Sequence, residues 1–257
     1  MKLSVIIITK NEAINIQACL KSVEFADERI VVDSGSTDGT TVIARAAGAT
    51  VIETTDWPGF GPQKQRALDA AKGAWVLSLD ADERISDELR DEIMSAIAQS
   101  KQDAYFLPRL SSFCGHFIRH GGWYPDYIVR LFRRDKADFS TDMVHERVIT
   151  HPAASTGKLK SPIIHYSYRD DSDVLRKLEH YSSLGAKQAF AAGKRGGYGK
   201  AVSHAAFAFI RTYLFKLGFV DGLPGLMVAI MAAEHTYHKY FKLMQLTREL
   251  KLRRIQK

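Results

Sequence analysis

Three groups of polar residues in the first hundred positions could act on a charged substrate. They occupy positions 9–12, 33–38 and 80–83, and each follows an apolar run with the pattern of a buried β-strand. Asp, Ser and Gly are also common in turns, so each group alone has a purely structural explanation. Because ligands of open α/β sheets bind at the carboxyl ends of the strands, the three groups together predict one binding crevice.

The triplet Asp80-Ala81-Asp82 is the most informative of these groups. Two carboxylates at alternate positions after a strand can approach one ligand, Asp80 reaching a ribose and Asp82 a divalent cation. Mg²⁺ and Mn²⁺ prefer oxygen ligands and are often held by one or two carboxylates together with substrate phosphates. Such a cation neutralises charge on a diphosphate leaving group. A lone D-x-D triplet is weak evidence, but its position directly after the apolar run 75–79 makes the indication strong.

The elements that would position these groups alternate between strand and helix. The predicted strands span residues 3–9, 29–32, 50–53 and 74–79, and the predicted helices span 13–23, 40–47, 62–72 and 86–99. This alternation predicts an α/β fold with a mostly parallel sheet and helices on both faces. Further strands, separated by irregular loops, are predicted at 104–108, 127–132, 146–150 and 162–168.

From residue 172 onward the pattern is helical and basic. Between Arg176 and the C-terminus there are 15 Lys and Arg against 4 Asp and Glu, while the whole chain has a formal net charge of +7. The aromatic-rich stretches 204–219 and 223–241 lack the run of about 20 apolar residues that a spanning helix needs. We expect them to lie in a membrane interface, the alternative being a helical cap packed on the preceding domain. The basic charge indicates an anionic partner: nucleic acid, anionic lipid or a phosphorylated lipid acceptor.

Composition and cysteine content narrow the class of protein. The chain has 257 residues, 46% of them hydrophobic and 25% charged, which is typical of a folded protein and excludes a disordered one. Cys19 and Cys114 have no metal-ligand spacing, so they indicate reduced thiols in a cytosolic protein. The first apolar run is too short for a signal peptide and no cleavage site follows it, which predicts a buried strand.

Three segments, residues 5–12, 32–40 and 79–83, resemble the signature segments of family 2 glycosyltransferases, which are inverting enzymes with the GT-A fold. More narrowly, the chain resembles the bacterial lipopolysaccharide inner-core glucosyltransferases that act on heptose. That resemblance rests on residues 121–126, 144–146, 165–168 and 219–222. It implies a Rossmann-like GT-A catalytic domain over residues 1–170, followed by a basic, aromatic-rich and membrane-associating helical region over 171–257.

The resemblance also assigns roles in binding a UDP-sugar donor. Thr9 and Glu12 would line the nucleotide pocket, and Asp33 would accept a hydrogen bond from the uracil ring. Lys64 would face the uridine or the phosphates, and Asp80 would bind the ribose.

Asp82 would bind the divalent cation, Mn²⁺ or Mg²⁺, and His165 would complete the metal site. The mixed set of carboxylate, imidazole and diphosphate ligands suits Mn²⁺. His165 has an equally good alternative as a sheet histidine hydrogen-bonded in the core.

An inverting transferase also needs a general base beside the acceptor hydroxyl. The resemblance assigns this role to Glu146, although His145 stands where the family usually has an acidic residue, so the role of position 145 is open. Glu146 has an alternative as an ordinary strand carboxylate, and Asp126 is the alternative base. Beside Asp126, Trp123 and Tyr124 form an aromatic pair that is typical of a sugar acceptor site.

The predicted function is inverting, metal-dependent transfer of a hexose, with glucose expected, from a UDP-sugar to a heptose of the lipopolysaccharide inner core. The enzyme would work at the cytoplasmic face of a bacterial inner membrane, associated peripherally through its C-terminal helices. Transfer to polyprenyl phosphate or another cell-envelope glycan acceptor is the enzymatic alternative. A non-catalytic protein that binds sugar nucleotides or nucleic acid is the alternative from another class. We expect no nucleic-acid partner, because carboxylates that face a crevice repel a phosphate backbone.

Overall fold

The computed structural model describes residues 2–141 and 146–255, and within them the chain forms two compact units. The first unit comprises residues 1–110 and 126–165, and the second comprises residues 111–125 and 166–257. The domain boundary predicted after residue 170 differs from this division in two respects. The break lies after residue 165, and segment 111–125 joins the helical region. The sequence pattern does not reveal that long-range association.

The strands of the described residues, in chain order, are β1 (Leu3–Thr9), β2 (Glu28–Asp33), β3 (Thr50–Glu53), β4 (Trp75–Asp80), β5 (Glu83–Arg84), β6 (Ala104–Phe113), β7 (His116–Phe117), β8 (Asp126–Arg133), β9 (Ala137–Phe139), β10 (Val148–Thr150), β11 (Thr156–Lys158) and β12 (Ile163–Tyr168). The helices are α1 (Ala13–Ser22), α2 (Thr40–Ala46), α3 (Phe60–Ala70), α4 (Asp87–Gln99), α5 (Asp171–Ala191), α6 (Tyr198–Ile210) and α7 (Gly222–Ile255), with a π-helix at Arg211–Phe215 and a 3-10 helix at Gly218–Asp221.

The main sheet joins a parallel part to an antiparallel part. Its strand order is β3-β2-β1-β4-β8-β6-β12-β5, with β7 and β11 paired to β6. Pairing is parallel from β3 to β4 and antiparallel from β4 through β8 to β6. Strands β9 and β10 form a separate antiparallel pair. The predicted α/β class, with parallel strands flanked by helices, is confirmed.

Strand β1 explains why helices cover both faces of the parallel part. All seven of its residues are buried, and their side chains alternate between the two faces. Val5 and Ile7 pack in one core cluster with Ile16 of α1, whereas Ile6 and Ile8 pack in a second cluster with α3. A strand buried on both sides reads as a continuous apolar run, which is the pattern in the sequence.

The second unit is built on helices α5, α6 and α7. Its core contains Phe113, Ile118, Val174 and Val228, so segment 111–125 contributes directly to packing. In the described part of the chain, no individual helix has the length and apolar composition of a membrane span. The segments Tyr198–Phe215 and Gly218–Leu250 satisfy that criterion only as a pair, bent by 70°.

Candidate active site

The carboxyl ends of β2, β1 and β4 lie side by side, as the polar groups predicted. Thr9 is the register partner of Asp33, and Ile8 is the partner of Asp80. Thr9 Oγ1 donates a hydrogen bond of 2.9 Å to Asp33 Oδ2, and both side chains are buried. The predicted polar groups therefore share one edge of the sheet.

The Asp33 carboxylate organises the loop that follows β2. The backbone N–H groups of Gly35 and Ser36 donate to Oδ1 at 3.0 and 2.8 Å, and Ser36 Oγ donates to Oδ2 beside Thr9. A carboxylate has about four lone-pair sites, so these bonds occupy the capacity that a uracil ring would use. The uracil contact of Asp33 stays a prediction, and it requires one of these four donors to move aside.

Glu12 lies where the first polar group meets the start of α2. Its backbone N–H donates to Thr40 Oγ1 at 2.8 Å, and its Oε2 accepts from Asn15 Nδ2 at 2.8 Å. The neighbouring Asn11 accepts a hydrogen bond from the Thr37 N–H at 2.9 Å. The loops after β1 and β2 are thus bonded to each other, which gives the predicted nucleotide pocket a fixed wall.

Asp80 lies between two cations. Lys64 Nζ is 2.8 Å from its Oδ1, and Arg130 Nη2 is 2.6 Å from its Oδ2. Burial alone would raise the pKa of Asp80, but Arg130 and Lys64 outweigh it and hold the pKa well below its usual range. Asp80 is therefore an ionised carboxylate with a fixed orientation. A fixed, ionised carboxylate suits a ribose-binding residue, and the ribose role stays a prediction.

Lys64 joins Asp80 to the predicted base. Its Nζ is 2.6 Å from Glu146 Oε1, and the Lys64 side chain is almost fully buried. The prediction that Lys64 faces a uridine or phosphates did not include this bridge. An ammonium thus contacts an oxygen that would take the acceptor proton. His145, whose role the sequence leaves open, lies outside the described residues.

Asp126, the alternative base, belongs to the same chain of charges. Arg109 donates to Asp126 Oδ2 from Nε at 3.1 Å and from Nη2 at 2.7 Å. Arg109 Nη1 also lies 3.7 Å from Oε1 of the fully buried Glu83, which accepts a bond of 2.9 Å from Arg130. Alternating charges therefore connect Asp126 to the Asp80 site. Each candidate base is held by a cation, Asp126 by Arg109 and Glu146 by Lys64, and the Glu146 pair is the more buried of the two.

Asp82 and His165, the predicted metal ligands, converge from the turn after β4 and from β12. Asp82 Oδ2 lies 3.3 Å from His165 Nε2, and both side chains are largely shielded from solvent. Adjacent ligands of an octahedral cation with bonds of about 2.1 Å lie about 3 Å apart, so this spacing fits one shared ion. Among the described residues there is no group of three or more His, Cys, Asp and Glu placed for a metal. The pair therefore fits a cation whose other ligands come from substrate phosphates and water.

Trp123 and Tyr124, the predicted acceptor-binding pair, lie in the second unit. The Trp123 ring packs 6.0 Å from the ring centroid of Phe113 and 5.8 Å from that of Tyr168. The Arg119 guanidinium lies 5.8 Å from the centroid of the Tyr124 ring. Trp123 thus packs in an aromatic cluster of its own unit. Stacking of a sugar on the ring of Trp123 or Tyr124 is still a prediction.

Arg130 is the residue of this site that sequence reasoning missed. It is buried in β8 and bonds to both Asp80 and Glu83, while its Nε has no hydrogen-bond partner among the described residues. Burial opposes the charge of Arg130, but Asp80 and Glu83 outweigh that effect and raise its pKa. The signal in the sequence is an arginine inside the apolar run 127–132, because an arginine is rarely buried without a charged partner.

Comparison with known proteins shows similarity to glycosyltransferases. A family model described as glycosyl transferase family 2 matches residues 4–154. An uncharacterised glycosyltransferase of Rickettsia bellii is 32% identical over 257 residues, covering 96% of this chain and 87% of the relative. The lipopolysaccharide core biosynthesis glycosyltransferase LpsC of Rhizobium meliloti is 28% identical, covering 93% of each chain.

The chain is also similar in part to solved structures. One of them is the glucosyl-3-phosphoglycerate synthase of Mycobacterium tuberculosis, in complex with Mn²⁺, UDP and glucosyl-3-phosphoglycerate. The similarity covers 44% of each chain, with 28% identity and a TM-score of 0.36.

Proposed function

Because this chain belongs to glycosyltransferase family 2 and is a glycosyltransferase of the GT-A fold, we propose that it transfers a hexose from a UDP-sugar to a heptose of the lipopolysaccharide inner core. Glucose is the hexose expected. The observation that carries the proposal is the Lys64 bridge, in which one buried ammonium contacts Asp80 and Glu146 at 2.8 and 2.6 Å. This contact brings the carboxylate assigned to the donor and the carboxylate assigned as base to one cation at the ligand-binding edge of the sheet.

The reaction would be a single in-line displacement. Glu146 takes the proton of the acceptor hydroxyl, and the hydroxyl oxygen attacks the anomeric carbon of the donor sugar. The bond between that carbon and the diphosphate oxygen breaks, its electron pair leaves with UDP, and the configuration inverts. Lys64 holds positive charge beside Asp80 and Glu146, and Arg130 keeps Asp80 oriented toward the donor edge.

A divalent cation, Mn²⁺ or Mg²⁺, would be held by Asp82 and His165. Their oxygen and nitrogen atoms, 3.3 Å apart, suit either ion, and the imidazole favours Mn²⁺. When bound, the cation would neutralise negative charge on the diphosphate leaving group.

The acceptor and the location are proposed from the relatives and from the second unit. The name of the R. meliloti relative points to the lipopolysaccharide core, and its similarity extends over 93% of this chain. The free thiols Cys19 and Cys114 suit the cytoplasm, and the basic C-terminal helices suit an anionic membrane surface. We therefore place the enzyme peripherally at the cytoplasmic face of the inner membrane.

A mass shift on the acceptor tests this function. Purified protein with Mn²⁺ and UDP-glucose is incubated with truncated, heptose-terminated lipopolysaccharide, with UDP-galactose and UDP-N-acetylglucosamine in parallel. Addition of one hexose from one donor is expected, and a reaction without a UDP-sugar is the negative control. No shift with any donor despite UDP binding would reject the heptose acceptor, and polyprenyl phosphate would then be the acceptor to test.

A further inference from the structure

The connection between α6 and α7 exposes an unusual number of large apolar side chains. We call residues 214–223 the tip. Its large apolar residues are each about half exposed or more: Leu214 (50%), Phe215 (70%), Leu217 (49%), Phe219 (47%), Val220 (53%) and Leu223 (73%). Isolated exposed apolar residues are normal, but a contiguous set of this size marks an interaction surface.

The tip is held by packed backbone. A side chain at Gly225 would overlap the carbonyl oxygen of Gly218, so the first turn of α7 lies directly against the tip. Thr212, at the start of the π-helix that leads into the tip, is buried. The exposed apolar side chains are therefore displayed by a close-packed turn.

The tip also binds the loop that carries the predicted acceptor residues. The Asp221 carboxylate accepts from the backbone N–H groups of Arg119 and His120 at 3.1 and 2.7 Å, and His120 Nδ1 lies 2.9 Å from its other oxygen. The N–H of Gly121 donates to the Lys216 carbonyl at 2.8 Å. Residues 119–121 are thus fastened to the tip immediately before Trp123 and Tyr124.

The charge of the region favours a lipid surface over a second copy of this chain. Arg211 and Lys216, which flank the first apolar residues of the tip, are exposed. From Arg176 onward, 15 basic residues oppose 4 acidic ones, so two copies of this region would repel each other. Apolar and aromatic side chains with lysine and arginine beside them are the composition of a segment that lies in the interface of an anionic membrane.

We propose that the tip inserts into the interface of an anionic phospholipid membrane and thereby holds loop 119–124 at the level of the lipid headgroups. The relevance of the loop rests on the proposed function, in which Trp123 and Tyr124 meet a lipid-linked glycan. Insertion of the tip does not depend on it. Asp221 and Lys216 accept hydrogen bonds from the loop. Contact of the tip with the membrane therefore fixes the loop at the surface where such an acceptor lies.

Vesicle sedimentation tests insertion. Full-length protein is mixed with phosphatidylglycerol-containing vesicles or with pure phosphatidylcholine vesicles. We expect binding to the anionic vesicles, and a loss of roughly tenfold or more in the double variant Phe215→Ser/Leu223→Ser. Ile14→Ser/Val42→Ser is the matched control, since Ile14 and Val42 are 71% and 67% exposed in the first unit. Equal binding by wild type and the tip variant would overturn the proposal. The proposal would also be overturned if the wild type formed a dimer and bound no vesicles, and if the tip variant were a monomer.

A second measurement tests the coupling to the loop. Transfer is compared on heptose-terminated lipopolysaccharide embedded in vesicles and on the delipidated, water-soluble oligosaccharide. The tip variant should lose transfer to the embedded acceptor and keep transfer to the soluble one. Asp221→Ala should retain vesicle binding yet lose embedded transfer, with partial rescue in Asp221→Asn. If Asp221→Ala keeps full embedded transfer, the coupling is wrong. If neither the wild type nor any variant transfers a hexose to either acceptor, the proposed function is wrong. Vesicle binding that still depends on the tip would then continue to support insertion.

Discussion

Lys64 and Glu146 form an ion pair of 2.6 Å between Nζ and Oε1, although 82 positions separate them in the chain. The same ammonium lies 2.8 Å from Asp80, so one buried cation serves two carboxylates with different predicted roles. Without Lys64, the two negative charges of Asp80 and Glu146 would lose the positive charge that they share. The residue should therefore matter both for stability and for the reaction.

Lys64→Met is expected to lower the free energy of unfolding by roughly 1–3 kcal/mol, because it leaves partly buried carboxylate oxygens without their shared donor. The variant should also lower kcat/KM by at least about tenfold, since the donor edge loses positive charge. Urea unfolding and initial-rate kinetics measure the two effects. Lys72→Met, at an exposed lysine, is the control and should match wild type. Wild-type stability in Lys64→Met would show that the bridge contributes nothing.

The two candidate bases can be separated by substitution. Glu146→Gln should reduce kcat by roughly 10²–10⁴-fold, the usual contribution of a general base, and leave UDP affinity unchanged. Asp126→Asn should have a smaller effect, because the Asp126 side chain is 43% exposed and reaches Asp80 through Arg109, Glu83 and Arg130, whereas Glu146 shares Lys64 directly with Asp80. Single-turnover kinetics and calorimetric titration of UDP measure the two quantities. Near-normal turnover in Glu146→Gln, together with a large loss in Asp126→Asn, would show that Asp126 and not Glu146 is the general base.

Much of the parallel sheet is predictable because each strand is local and carries its own pattern. β1 and β3 have the predicted bounds, and α4 begins one residue after Ser86, whose Oγ accepts a capping hydrogen bond from the Leu89 N–H at 3.3 Å. Short strands such as β5 and β7, of two residues each, have too few positions for a periodic pattern, so the sequence does not predict them.

Of the candidate site, the sequence predicts only the residues that follow the carboxyl ends of neighbouring parallel strands. The positions of Thr9, Asp33 and Asp80 follow from the rule that ligands bind at the carboxyl ends of such strands. The bonds from Arg130 and Lys64 to Asp80 do not follow from it. They depend on the antiparallel pairing of β8 with β4 and on the placement of α3, both set by long-range packing that no local spacing encodes.

The metal assignment can be tested through the nucleotide. UDP should bind more tightly to wild type in the presence of Mn²⁺, because the ion would bridge the diphosphate to Asp82 and His165. Asp82→Ala should abolish this Mn²⁺-dependent gain and leave the affinity measured in chelator unchanged. His165→Ala should reduce the gain less if Asp82 is the main ligand. Calorimetric titration measures these affinities, with Asp135→Ala at an exposed carboxylate as the control. A full Mn²⁺ effect in Asp82→Ala would remove Asp82 from the metal site.

Asp80 also predicts how stability depends on pH. Arg130 and Lys64 overcome the burial effect and hold the folded-state pKa well below the ordinary value of 3.8. A carboxyl group whose pKa is lowered by folding stabilises the native state fully above its unfolded pKa, and that contribution is lost as the pH falls through the folded-state pKa. The stability difference between wild type and Asp80→Asn should therefore be constant above about pH 5 and shrink on further acidification. Arg130→Met removes one of the two cations, so the acid-dependent part of the stability should become smaller in that background. Urea unfolding across the pH series measures both effects, and a difference that stays constant down to the most acidic pH would contradict the pairing of Asp80 with these cations.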